Sequence, residues 1–563
     1  MTGRMARRRL GMAGPAALLL AALLGGCVSI PMGGGVTTDE IDTSGTDESL
    51  ANLPAGPTAD ASPADIIAGF ISAGRGPQKN YEVAREFLTD DFRLTWTPGA
   101  RTLISSTPVT PVSLADNTWS VTVSTSATVD ADGHYSAMSD SVELPFGLVQ
   151  NDEGQWRISS APDGTLLPPN RFTSIFKSYD LYFFDATFEY LVPDRRWFPK
   201  GSNAPGRIVK QLLLGPSPWQ GSGVLFSAFP TGTEQDRPPA EINSGVATVV
   251  LTSEVQTADN TAKRRMEQQL EESLRSVSSV REVTIISAGF TLPVPDGGPT
   301  AETQYPVGSE AVGGLDGRVG IVTDSGVTAI DAIDRVADPL GVTGASLSRT
   351  RRAMAVRGAD GVVSLIRNGD DPIVLDTRAG LLPPSLDPSG FTWTVPAGAP
   401  GALQAIAPDG RVFPVPGLPS DARIVSFDVS RDGARVLAAL DTASGPRLVV
   451  AGVLRNADDA PVNLTSTVVD LRVGSEPLVD AAWVDGVTVV ALSGVGDETT
   501  VDAYVIGGQS STLGSPVNGV SIVGGNGLEG TRVLDVDGQV LRPGGGSTWQ
   551  STGLVASFLA TQQ

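Results

Sequence analysis

"FDVSRDGARVLAAL", Phe427 to Leu440, sets a small polar turn ending in Asp432-Gly433 between two apolar runs. An Asp-Gly pair flanked by such runs is a strong short-range signal for a β-hairpin. Three other segments align with it: "ASLSRTRRAMAV" from Ala345, "PSLDPSGFTWTV" from Pro384 and "AAWVDGVTVVAL" from Ala481. After each, a Gly-containing loop leads to a further strand-like run: Val362–Ile366, Leu403–Ala407, Arg447–Val453 and Val501–Ile506. The four starts, at Ala345, Pro384, Phe427 and Ala481, recur along a half of the chain that is poor in helical patterns. Hairpins recurring at that interval predict the four-stranded blades of an all-β propeller. Residues 301–563 have room for about six blades of roughly 40 to 45 residues, although fewer are visible as repeats. An array of β-sandwiches is the alternative, and it leaves the repeated turn and hairpin unexplained.

Upstream, residues 166–300 read as an α/β unit. Tyr179 to Tyr190 (YDLYFFDATFEY) is aromatic and strand-like, and "NAPGRIVKQLLLGPSP" follows from Asn203. Asn203 is expected to cap a helix with Pro205 in its first turn, Ile208, Val209, Leu212 and Leu213 as its apolar stripe, and Gly215-Pro216 as its stop. A strand over 247–252, a helix over about 259–277 and a strand over 282–287 come next. Ala262, Met266, Leu270, Leu274 and Val277 share one face of that helix, and Glu271 and Arg275 are spaced for an i,i+4 pair. The order, with "IVKQLLLGPS" at its centre, resembles the GerMN domain of extracytoplasmic lipoproteins and spore-germination proteins. The resemblance implies binding or assembly at the envelope rather than catalysis.

Residues 62–165 read as an α+β domain. Ser62-Pro63-Ala64-Asp65 is a helix start, with a serine cap, a proline in the first turn and a carboxylate at the third position after the cap. Ile66, Ile67, Phe70 and Ile71 then fall on one face, and a second helix is expected to carry Tyr81, Ala84, Phe87 and Leu88. Trp119 to Val123 alternates as a strand, and Asp132-Gly133 predicts a hairpin turn before the strands Ser141–Leu148 and Gln155–Ile158. Helices followed by this meander resemble small NTF2-like domains.

Residues 1–26 read as an export signal. Arg4, Arg7, Arg8 and Arg9 precede Leu10 to Leu24, an uncharged run shorter than the roughly 20 residues that a membrane span requires. Leu24-Gly25-Gly26-Cys27 resembles the lipobox of bacterial lipoproteins, which implies S-diacylglycerol and N-acyl chains, palmitate among them, on Cys27. Two or three chains exceed what stable anchoring needs, at about 0.8 kcal/mol per buried methylene. Residues 27–61 are acidic and rich in Ser, Thr, Gly and Pro, and read as a flexible linker. The expected location is therefore the outer face of the cell membrane, held by lipid alone.

Counting excludes much chemistry. Cys27 is the one cysteine and His134 the one histidine in 563 residues. Ser-His-Asp or Cys-His catalysis would need His134, and a His/Cys zinc site cannot be assembled. His134 itself, just past the Asp132-Gly133 turn, is expected to be an exposed loop residue. The net charge of −22 disfavours nucleic acid as a partner. Gly525 to Gly530 satisfies GxGxxG, but strand-like sequence follows instead of the helix a dinucleotide loop requires. Asp130 to Gly133 and Asp535 to Gly538 lack the ligand order of a calcium loop and read as tight turns. No cofactor, metal or catalytic residue is expected.

Lipobox, α+β domain, GerMN-like unit and propeller, in that order, resemble the actinobacterial lipoprotein family LpqB over essentially the whole chain. Blades with an "SxDG" turn are also similar to non-enzymatic propellers of the TolB type. The family resemblance implies an accessory of a two-component system of the MtrA/MtrB type, engaging the extracellular part of the sensor kinase MtrB and influencing cell division, envelope homeostasis and drug tolerance. Two other readings stay open: a glycan-binding or glycan-hydrolysing propeller, and an envelope assembly scaffold. Trp393 and Trp483 are candidate glycan platforms, although their place within blade strands favours a packing role.

Overall fold

The computed structural model describes residues 54–563, apart from 116, 202, 222, 278–279, 306 and 324–325. The lipobox, Cys27 and most of the expected linker lie outside the described residues. Among the described residues no helix is long and apolar enough to cross a membrane.

The first domain starts with the helix Pro63–Ala73, capped by the Ser62 hydroxyl, which accepts from the Asp65 N–H. Ile66, Ile67, Phe70 and Ile71 are buried, as the periodicity requires. The expected second helix shrinks to one turn, Glu82–Arg85, because Lys79, Asn80 and Tyr81 all take left-handed φ angles that a helix of L-residues cannot propagate. Ala84, Phe87 and Leu88 are buried all the same. The sheet runs in the order Trp156–Ser160, Tyr135–Gln150, Thr118–Asp130, Arg101–Ser105, Thr165–Leu167. Its last strand pairs parallel with Arg101–Ser105, so Leu166 and Leu167 belong to this sheet rather than to the domain that follows.

The second domain opens with an antiparallel hairpin, Phe176–Phe184 and Leu191–Pro199. The first strand stops at Phe184 because Asp185 folds back on its own chain, accepting from the Thr187 and Tyr190 N–H groups. The helix Ala204–Leu214 buries Ile208, Val209 and Leu212, and Gly215 ends it at φ +100°. Asn203 occupies the cap position without a side-chain capping bond, since its backbone is already helical at ψ −7°. Val246–Leu251 and Glu282–Ser287 pair parallel, which demands a crossover, and the helix Asn260–Leu274 supplies it. Met266, Leu270 and Leu274 of that helix are fully buried. The expected Glu271–Arg275 pair is not made: Arg275 turns to Glu272 at 2.7 Å, an i,i+3 neighbour equally within reach.

The third domain is a closed propeller of six sheets among the described residues, five of four strands and one of five, in which Val469–Leu471 adds to the blade that starts with Arg423–Val429. The innermost strands are Gly344–Leu347, Ser385–Leu386, Arg423–Val429, Leu478–Trp483, Gly519–Gly525 and Phe558–Ala560. Phe558–Ala560 completes the blade begun by Val312–Leu315, with Val312 opposite Ala560 and Gly314 opposite Phe558. The ring is thus latched by strands from the two ends of the domain. The quoted stretch forms the first two strands of its blade, Arg423–Val429 and Arg435–Thr442, joined by the polar turn.

Ser and Asp side chains tie neighbouring inner strands together. Ser385 donates to Asp428 at 2.8 Å, Ser426 to the Ala481 carbonyl at 3.1 Å and Ser521 to Asp480 at 2.9 Å. Where the inner strands finish, Arg431 donates to the carbonyls of Gln562, Val484 and Gly525 and so spans three blades. Trp393 and Trp483 are buried to 0% and 2% exposure, one bonded to Asp387 and the other under the Arg435 guanidinium, so both serve packing. Gly525 to Gly530 is the hairpin between Gly519–Gly525 and Gly527–Asp535, as its strand-like context predicts. Asp130 and Asp535 each accept backbone N–H groups of their own turn, which accounts for both acidic motifs.

Candidate functional site

One strand, Leu191–Pro199, holds the three domains together. On one side it receives the tip of the first domain's hairpin. The Trp197 N–H donates to the Gly133 carbonyl at 2.8 Å, Arg196 to the Asp132 carbonyl at 3.1 Å, and Gln211 from the nearby helix to the Asp132 carboxylate at 2.9 Å. Gly133 sits at φ +88°, and a Cβ there would lie 2.7 Å from the Phe198 ring, so geometry and contact both demand glycine. On the other side the Trp197 indole donates to the Gly507 carbonyl of the propeller at 2.8 Å. Arg196 and Asp194, 1% and 4% exposed, form an ion pair of 2.7 Å in the middle of this strand. Asp194 also accepts the Ser217 N–H and hydroxyl at 2.8 and 2.6 Å, which fixes the loop after the Gly215-Pro216 stop.

That loop and the hairpin tip frame a cleft of about 390 Å³ to which all three domains contribute walls. The volume falls within the range of small-molecule sites, about 300 to 1,000 Å³. Tyr135 comes from the first domain, Trp219 and Gln220 from the second, and Tyr504 from the propeller. His134 is a correction to the sequence reading: it is half-buried and lines the cleft instead of lying free in a loop. Its Nδ1 meets the Asp130 carboxylate at 2.8 Å. Burial by itself would raise the Asp130 pKa, but the His134 ring and the His134 and Asp132 N–H groups outweigh it and hold the carboxyl below its ordinary value. An ionised Asp130 only accepts, so His134 Nδ1 carries the hydrogen shared between them. Nε2 is buried and has no partner within the protein.

Gln220 is the least expected member. It is fully buried, yet neither its Nε2 nor its Oε1 meets a hydrogen-bond partner within the protein. The sequence holds one signal for it, a tryptophan beside a glutamine in a short loop after a helix stop, where a large aromatic has no helical face to serve. The arrangement can bind a polar ligand. Covalent catalysis has less to work with, since the nearby Ser217 hydroxyl is engaged by Asp194 rather than by His134.

Three family models match in the order of the three domains. Residues 56–173 match "Lipoprotein LpqB, N-terminal domain", residues 180–292 match "Sporulation and spore germination", and residues 317–557 match "Lipoprotein LpqB beta-propeller domain". The chain belongs to the LpqB lipoprotein family. A Lipoprotein LpqB of Streptomyces coelicolor is 27% identical over 89% of this chain and 87% of its own length. One of Mycobacterium ulcerans is 27% identical over 76% and 78%. For the LpqB proteins of Cutibacterium acnes and Thermobifida fusca, at 28% and 29% identity, the chain spans about half of the relative, 46% in each case. Among solved structures, the tandem GerMN domains of GerM from Bacillus subtilis align with 26% of this chain and 58% of their own, at 15% identity and a TM-score of 0.19.

Proposed function

We propose that this LpqB-family chain is a membrane-anchored, extracytoplasmic accessory of a two-component sensor kinase, acting by contact with the kinase's extracellular domain and not by catalysis. The observation that carries the reading is the joint between the modules. The Asp194–Arg196 pair and the Trp197 bonds to both neighbours make the three domains one composite body, which can present a surface that no single domain holds. Acylation of Cys27 would keep that body beside the membrane in which a sensor kinase sits. The kinase as partner, of the MtrB type, follows from the family resemblance.

Two measurements test the proposal. The purified chain should bind the kinase's immobilised extracellular domain saturably, and its deletion should change target-gene output; absence of both removes the kinase from the account. Cys27→Ser should shift the protein from membrane to soluble fractions or block its processing, and unchanged fractionation would exclude lipid anchoring.

A further inference from the structure

We infer that the end of the propeller where its innermost strands begin is a docking face for a protein segment that carries lysine or arginine side chains among apolar ones. The inference does not depend on the partner being a kinase.

The two ends of the ring differ. Where the innermost strands finish, the chain leading in from the second domain covers the ring. The Tyr305 hydroxyl donates to Asp432 at 2.8 Å, Asn526 donates to the Val307 carbonyl at 3.1 Å, and Arg431 closes the axis through its three carbonyls. Where the innermost strands begin, the axis opens as a funnel of about 310 Å³. Val425, Val479 and Val520, near the start of three neighbouring innermost strands, line it.

The apolar surface continues outward from Val520 over two blades. Val495, Val517, Val536 and Val555 lie in turns or strand ends on this side of the ring, and with Val520 they are 43% to 69% exposed. They are neighbours. The Val536 N–H donates to the Asn518 carbonyl at 3.0 Å, and Val555 stands opposite Gln539, just past the Val536 turn. Thr499, in the strand that follows the Val495 turn, donates to the Pro516 carbonyl and accepts from the Gly519 N–H at 3.2 Å, so Val517 lies beside that turn. Exposed turns are ordinarily built from Gly, Asp, Asn and Ser. The corresponding turns of three other blades follow that rule, with Asp316-Gly317, Ala359-Asp360-Gly361 and Ala443-Ser444-Gly445. Valine has no core to enter at such a tip, and a contiguous exposed apolar patch marks an interaction site where single exposed residues do not.

Charge selects the occupant. Glu476, Asp497, Glu498 and Asp537 are exposed around the valines, and Asp480 lines the funnel. Segments 474–479, 494–500, 514–521, 535–539 and 553–557 contain no lysine or arginine. An anionic membrane surface would be repelled. So would the chain's own acidic residues 39–48, or a second copy with its net charge of −22. A segment with apolar side chains for the valines and basic ones for the acidic rim complements both features.

The experiment uses the full chain in nanodiscs of zwitterionic lipid, with empty discs as the blank. The probes are six-residue alternating peptides, Lys/Val and Glu/Val, each carrying one photoreactive leucine. The Lys/Val peptide should saturate with a Kd of about 0.1 mM or tighter at low salt and weaken as salt rises. Its photolabel should fall on segments 494–500, 514–521 and 535–539. The double variants Val495→Ser/Val536→Ser and Asp497→Lys/Asp537→Lys should each weaken binding at least about tenfold, and since all four side chains are exposed the fold is not at stake. Val412→Ser, at an exposed valine of another blade, and Asp152→Lys, in the first domain, should leave it unchanged. Equal binding of the Glu/Val peptide, a label spread over the other blades, or unchanged affinity in both patch variants overturns the proposal. The kinase's extracellular domain is assayed in parallel, and its failure to bind removes the kinase while the peptide still decides this face.

Discussion

Replacing Asp194 by alanine should do more damage than any surface change, and the size of the effect follows from what Asp194 touches. The substitution strands the Arg196 guanidinium, 1% exposed, whose Nε already lacks a partner, and frees the N–H and hydroxyl of Ser217. Removing one member of a buried pair costs about 3 to 5 kcal/mol, chiefly through the uncompensated charge left behind. At about 2 to 4 °C per kcal/mol for domains of this size, the melting temperature should fall by roughly 6 to 20 °C. Tryptophan fluorescence follows the transition, because Trp197 and Trp219 flank the site. The double variant Asp194→Leu/Arg196→Met should recover most of the loss, since well-packed apolar residues often replace a buried pair without penalty. A loss below about 1 kcal/mol for Asp194→Ala, or no recovery in the double variant, would refute the assignment of this pair as the joint's anchor.

Other consequences are open to measurement. Burial raises the Asp428 carboxyl to about 6 against the help of Ser385 and the nearby Arg431, so the native state binds more protons there than the unfolded chain. Stability from this group is present below the unfolded value near 4 and is lost as pH rises toward 6; Asp428→Asn should flatten that part of the stability profile relative to the parent, and an identical slope would refute the assignment. Gly133→Ala puts a methyl group 2.7 Å from the Phe198 ring at φ +88° and should loosen the first domain, read as faster proteolytic cutting of the hairpin tip. Phe558→Ala, at a position 4% exposed in the latch strand, should cost about 3 to 5 kcal/mol and speed hydrogen exchange in Val312–Leu315 more than in any other blade.

Much of the fold is legible in the chain because local signals and burial agree. The Ser62 cap, the Gly215-Pro216 stop and the hairpin of Phe427–Leu440 each use a turn or cap residue at the position its geometry requires. The single-turn helix at Glu82 is not legible, since Ala84, Phe87 and Leu88 are buried in either conformation and only the left-handed run at 79–81 decides between them. The blade that closes the ring is hard to see because Val312–Leu315 and Phe558–Ala560 share a sheet across the whole domain, a pairing with no trace in local spacing. His134 misleads for a similar reason. A residue after an Asp-Gly turn is exposed in an isolated hairpin, and here the hairpin tip is inserted between two other domains. Gln220 is marked in the sequence only by the tryptophan beside it in a short loop, because an unmet amide becomes visible only once its neighbours are in place.

Photo-crosslinking in living cells, with the reactive group placed on the propeller or on the second domain of the full-length, lipid-anchored chain, decides whether the protein works by touching a kinase. The proposal predicts covalent capture of a sensor kinase through its extracellular domain, abolished when Cys27→Ser releases the chain from the membrane. Capture that never includes a kinase, from a protein shown to be anchored and folded, would contradict it.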